Sequence, residues 1–129
     1  PVVACEEGTA LIINSYSCSN GVFNLVMKNN GRFSIKGFVI SVGNNSNRMP
    51  ITHLRALYQP NQGIESGYYV FNDSFDPGKS LTAYFDVLSI DFKEIKRVRI
   101  QPFIFSESNS VVICEESVIF QDLNNCVVK

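Results

Sequence analysis

The sequence predicts an all-β domain, an antiparallel sandwich of about seven strands with one short helical turn, stapled by disulfides. Apolar and polar residues alternate along most of the chain with the period of two that a half-buried strand imposes. The alternating runs are short and bounded by Gly, Pro, Asn, Asp or Ser. Four cysteines form two near-matching cassettes, Cys5-Glu6-Glu7 with Cys18 and Cys114-Glu115-Glu116 with Cys126, with spacings of 13 and 12 residues and 95 cysteine-free residues between them. An even cysteine count at the rims of a small β-patterned chain reads as a disulfide framework and hence an oxidising, extracellular compartment.

The elements follow in order. Residues 9–16 are apolar and β-branched, with Leu11 and Ile13 on one face. Ser17-Cys18-Ser19-Asn20-Gly21 has turn chemistry. From Val22 to Lys28, Phe23, Leu25 and Met27 face one way and Asn24 and Lys28 the other. Asn29-Asn30-Gly31 is a hairpin or turn signal. Ile35 to Val42 resumes a strand with Phe38, Ile40 and Val42 in register, and residues 43–50 form a polar loop. Ile51, Leu54, Leu57 and Tyr58 recur at helical spacing, so a short helical turn is expected between Pro50 and Tyr58. Further strands are expected at 66–72, 80–88, 95–105 and 110–120, with a bulge or an edge position at Pro102. Seven short strands with one brief helix describe an antiparallel sandwich of immunoglobulin-like type, without the tryptophan and mid-strand cysteine pair of antibody domains.

At 129 residues the chain is one domain, 1–129, long enough to bury a core. Hydrophobic content of 45% against 18% charge excludes a disordered chain. A formal charge of −1 gives no field to recruit nucleic acid or an anionic bilayer. No apolar run approaches the ~20 residues that cross a membrane. The chain starts at Pro1-Val2-Val3-Ala4, as a mature exported product or ectodomain would, and any membrane anchor is expected upstream.

Two stretches carry a resemblance. Val26-Met27-Lys28-Asn29-Asn30-Gly31 followed by Phe38-Val39-Ile40, and Phe75-Asp76-Pro77-Gly78-Lys79-Ser80-Leu81-Thr82-Ala83-Tyr84-Phe85, resemble the turn-and-strand signatures of immunoglobulin-like surface modules of archaea and bacteria. The wider pattern, roughly residues 9–120, is similar to the globular heads of archaeal type IV pilin-like proteins. The resemblance implies a structural or adhesive cell-surface domain, the head of a pilin-like subunit, that docks with other protein subunits or a cell-surface layer. The alternative reading is a carbohydrate- or S-layer-binding module with a concave aromatic patch and neighbouring amides. These motifs are turns and strand starts, which specify fold far better than activity.

Candidate chemistry is sparse. Asp76-Pro77-Gly78-Lys79-Ser80 superficially resembles a phosphate-binding loop, but Asp73 stands where that loop needs glycine and the residues that follow alternate as a strand. A Pro-Gly turn is the reading its context favours. His53 is the one histidine and lacks the companions of a zinc site or a catalytic triad. Asn72, Asp73, Ser74 and Asp76 offer oxygen ligands to calcium, but such a site wants more carboxylates and a bidentate Glu, and an Asx-type turn leading into Pro77-Gly78 is the favoured reading. Glu6, Glu7, Glu115 and Glu116 would crowd one rim if the cassettes lie side by side. Lys93, Lys96, Arg97 and Arg99 form the basic cluster, with Arg97 and Arg99 on one face of a strand. Without interleaved aromatics this cluster does not suit nucleic acid. Tyr68 and Tyr69, with Phe103 and Phe105, are hard to bury together because neighbouring strand positions point to opposite faces. Tyr68, Tyr69, Arg97 and Arg99 are therefore the candidate contact residues, and neither catalysis nor a cofactor or metal is expected. Asn44-Asn45-Ser46 and Asn72-Asp73-Ser74 are glycosylation sequons.

The cysteines are expected to pair between cassettes. Extended at ~3.3 Å per residue, Cys5 and Cys18 lie tens of Å apart, whereas bridged Cα atoms lie ~4.4–6.8 Å apart. First and last strands running side by side would place Cys5 by Cys114 and Cys18 by Cys126. The second cassette could instead close on itself if residues 121–126 fold back. The core is expected to gather Phe23, Leu25, Phe38, Ile40, Phe85, Val98 and Ile100, the apolar side of each alternating run.

Overall fold

The computed structural model describes residues 4–57 and 67–128. Two antiparallel sheets face each other. One comprises β1 (Ile12–Ser19), β2 (Val22–Lys28), β7 (Ser80–Asp86) and β5 (Arg55–Leu57), in the order β1-β2-β7-β5. The other is built on β3 (Ile35–Gly43) and β8 (Arg97–Phe105), in the order β10-β8-β3-β4, with β4 at Thr52–His53 and β10 at Ile119–Asp122. Along the same edges β6 (Tyr68–Phe75) pairs with β3, and β9 (Val111–Ile113) pairs with β8. The order β1-β2-β7-β5 opposite β10-β8-β3 is the four-on-three arrangement of immunoglobulin constant-type sandwiches, with β4 and β6 added beside β3.

The core lies where alternation places it. Phe23, Leu25, Phe38, Ile40, Phe85, Val98 and Ile100 are all fully buried in one cluster between the sheets. Phe38 stacks on Tyr69 at 5.0 Å between centroids and meets Phe85 edge-on at 6.3 Å.

Several elements differ from expectation, each for a physical reason. The hairpin turn is Asn20-Gly21 alone, with β1 running through Cys18 to Ser19. Both turn residues have positive φ, 52° and 76°, which Asn and Gly tolerate and which matches the twist of a two-residue hairpin. Asn29-Asn30-Gly31 closes no hairpin, because β2 pairs with β1 and β7 and the chain crosses here to the other sheet. No helix forms at 50–57. Thr52–His53 pairs with β3 and Arg55–Leu57 with β7, while Leu54 between them is buried. The three-residue spacing of Ile51, Leu54 and Leu57 thus marks a chain stepping from one sheet edge to the other, and Tyr58 lies outside the described residues. The helical turn is instead a 3₁₀ turn at Glu115–Ser117, which divides the expected strand at 110–120 into β9 and β10.

Pro102 sits within the unbroken register of β8 with β3. Its carbonyl accepts from Cys114 N at 2.8 Å, so its backbone polar edge faces the gap between β9 and β10. The missing N–H therefore costs no ladder bond and falls where the neighbouring strand is interrupted.

The cassettes are joined to each other. Cys5 bonds Cys114 and Cys18 bonds Cys126, with Cα separations of 5.2 and 5.1 Å. β1 and β10 do not pair, since they edge different sheets. The disulfides act across the open side of the sandwich, tying the β1 edge of one sheet to the chain flanking β10 of the other.

Candidate functional site

The sequence-predicted arginines lie on the outer face of the β3–β8 sheet. Strand alternation turns Val98 and Ile100 into the core and leaves Arg97, Arg99, Gln101 and Phe103 on the opposite face. Registers with the neighbouring strands set the rest. Arg99 lies opposite Phe120 of β10 on one side and Ser41 of β3 on the other, and Ser41 lies opposite His53 of β4. One cross-strand row therefore reads Phe120, Arg99, Ser41, His53.

Further along the same face, buried Val39, Val70 and Phe103 form a second apolar cluster, with Tyr68, Phe105 and Ile113 half-buried around it. Gly37 lies under this cluster. A Cβ there would come within 2.3 Å of both the Phe103 ring and Tyr69 O, so the close approach requires glycine.

The two arginines are held differently. Arg97 Cζ sits 4.6 Å from the centre of the Phe120 ring, a cation–π contact. Its Nε is 3.5 Å from Asp122 Oδ1, a charge contact without hydrogen-bond alignment. Arg99 Nη2 is 3.5 Å from Ser41 Oγ. The Nε atoms of both are buried without a hydrogen-bond partner. The face is thus an apolar patch continuous with a cationic, donor-rich row.

The remaining sequence candidates fall elsewhere. Tyr69 belongs to the inside of the sandwich, because alternation in β6 places Tyr68 outward and Tyr69 inward. Its burial raises its hydroxyl pKa above the usual 10.0. Tyr69 is therefore a core residue, and Tyr68 alone of the pair borders the outer face. The cassette glutamates do come together: Glu6, Glu7, Glu115 and Glu116 line a cleft of about 370 Å³ beside the Cys5–Cys114 bridge. Among the described residues no group of acidic, His or Cys side chains is arranged to hold a metal. Asp73 and Asp76 serve local structure. Asp76 accepts from Ser34 Oγ and Ser74 Oγ, both at 2.6 Å, and Asp73 O accepts from Lys36 Nζ at 3.2 Å. Asp76-Pro77-Gly78-Lys79 closes a turn through Lys79 N to Asp76 O at 3.0 Å, with Gly78 at φ 85°.

Sequence reasoning missed Phe120, Ser41 and His53 as neighbours of Arg99. Alternation in β10 and β3 could have set their faces, but only the register sets them in line. The fold defines the class: a disulfide-stapled antiparallel β-sandwich with immunoglobulin-type strand order. No protein-family model and no curated protein matches the chain.

Proposed function

We propose that the chain is an extracellular structural or adhesive surface domain, the head of a pilin-like filament or of another cell-surface subunit, and that it works by contact instead of catalysis. One observation carries the contact reading: the outer face of the β3–β8 sheet joins an apolar patch at Tyr68, Phe105 and Ile113 to the Arg97–Arg99 row. That combination of aromatic anchor and arginine is the chemistry of protein interfaces. The two disulfides support export, since such bonds persist in oxidising compartments. The partners are other protein subunits or a surface layer.

The test is surface fractionation of the producing cells together with an attachment assay. Arg97→Glu with Arg99→Glu should abolish attachment while leaving the disulfides formed. Full attachment by this variant would remove the arginine row from the proposal, and reduced protein retained in the cytoplasm would remove export. Turnover of any substrate by the purified domain would overturn the contact-only reading.

A glycan-binding module is the second reading. On the outer face of the other sheet, exposed Tyr84 lies in register between Asn24 of β2 and Leu57 of β5, and Asn24 Oδ1 is buried without a hydrogen-bond partner. Tyr84→Ala should eliminate glycan capture by the isolated monomer if this reading holds.

A further inference from the structure

The two glycosylation sequons fold into unlike surroundings. Asn44-Asn45-Ser46 stands in the loop between β3 and β4, where every residue from Asn44 to Met49 is exposed. Asn45 O accepts from Arg48 N at 3.3 Å and Asn45 Oδ1 from Asn47 N at 2.8 Å, so the loop is turned by its own short-range bonds. Among the described residues, neither the Asn44 amide nor the Ser46 hydroxyl has a hydrogen-bond partner. Asn72-Asp73-Ser74 lies where the register of β6 with β3 jumps from Val70 to Phe75. Asn72 is exposed there, but its sequon is clamped. Ser74 Oγ donates to Asp76 Oδ1 at 2.6 Å, and Asp73 O accepts from Lys36 Nζ at 3.2 Å. The rings of Phe71 and Phe75, on either side of the triplet, stack at 4.9 Å, and Phe75 is buried in the core.

We infer that Asn44 is the acceptor of an N-linked glycan, and that Asn72 stays bare because the fold holds its sequon closed. A transferase must take the Asn and the Ser two residues on as one peptide, so both side chains must be free to leave the domain surface. Asn44 and Ser46 meet that condition, since their loop can be drawn out without opening either sheet. At Asn72 the same motion would break the Ser74–Asp76 bond and pull at Phe75 in the core. The chemistry is glycosyl transfer from a sugar linked to a lipid phosphate. A bond forms between Asn44 Nδ2 and the anomeric carbon as the bond from that carbon to the phosphate oxygen breaks. The phosphate leaves with the electron pair, and one amide proton passes to solvent. Gly43, the preceding residue, is in register with Arg97, whose Nη1 lies 3.5 Å from Arg48 O. The glycan therefore stands at the Arg97 end of the contact face, away from the Tyr68 patch. The inference rests on the export reading, because such transfer acts on exported chains.

The experiment is tryptic peptide mapping, by mass spectrometry, of the protein taken from the producing cells. Trypsin cuts after Lys36, Arg48, Arg55 and Lys79, so peptides 37–48 and 56–79 separate the two sequons. Peptide 37–48 should carry added mass in whole sugar residues, localised to Asn44 by fragmentation, and peptide 56–79 should have its bare mass. Asn44→Gln and Ser46→Ala should each abolish the addition, whereas Ser46→Thr should keep it. Both positions are exposed, so the variants should melt as the parent does. An exported, disulfide-bonded chain with a bare Asn44 would overturn the inference and leave the export reading standing. A glycan on Asn72, alone or beside one on Asn44, would overturn the selection by the fold. Reduced chain confined to the cytoplasm would overturn both readings together.

Discussion

Asn29 concentrates more of the fold's wiring than any apolar residue. It is fully buried. Its Nδ2 donates to Phe33 O at 3.0 Å and Phe75 O at 2.8 Å, and its Oδ1 accepts from Gly31 N at 2.9 Å. Its backbone N donates to Lys79 O at 3.0 Å and its carbonyl accepts from Gly78 N at 2.8 Å. The two stretches that resemble surface-module signatures are thus locked to one another through this residue, which explains their presence on structural grounds. Asn29→Ala would strand two carbonyls and one N–H, so a loss of about 3 kcal/mol or more is expected in chemical denaturation. A loss under ~1 kcal/mol would mean that water replaces the amide. Asp76 gives the pH prediction. Hydrogen bonds from Ser34 and then Ser74 hold its carboxyl below the usual 3.8. A depressed folded-state pKa contributes stability above the unfolded value, lost as pH falls through the folded one. Asp76→Asn should therefore flatten the acid limb of a melting-temperature profile below about pH 4, and an unchanged limb would dismiss the Ser34–Asp76–Ser74 contacts as the cause.

At the scale of elements, β3 is the organising strand, buried on both faces over most of its length. Phe38 projects inward onto Tyr69, Phe71 and Phe85, with centroid distances of 5.0, 6.2 and 6.3 Å. Phe38→Ala should cost ~3–5 kcal/mol in urea or guanidinium unfolding, because the rings around the cavity are themselves held by opposite sheets. A cost below ~1 kcal/mol would contradict its place at the centre of the core. The inner faces of β2, β3, β7 and β8 were legible because period-two alternation is a local property. The segment at 50–57 was not. A three-residue apolar spacing reads as helix only if the chain satisfies its own hydrogen bonds, and here two sheet edges offered partners instead.

At the scale of the molecule, the disulfides close loops spanning 109 and 108 residues, but they are not independent. Once one has formed, the other closes only the two cassettes, 13 and 12 residues long. In the chain-entropy model either bond alone is worth about 5 kcal/mol, and its removal in the presence of the other only about 3.5 kcal/mol. Cys18→Ser with Cys126→Ser should thus lose about 3.5 kcal/mol in equilibrium unfolding, and full reduction over twice that. Equal losses for the first and second bond removed would argue against this nesting.

The sequence by itself determined the class of fold, the inward residues of its long strands, the shared face of Arg97 and Arg99, and a cassette spacing that matches across the molecule. All of these follow from alternation or from chain length, which need no knowledge of neighbours. Tertiary structure decided everything that depends on which strand lies beside which. It set the row of Phe120, Arg99, Ser41 and His53 and turned Tyr69 inward. It also placed the disulfides between sheet edges. Strand partners are chosen by contacts between residues tens of positions apart, and the energy of those contacts is written in no local pattern.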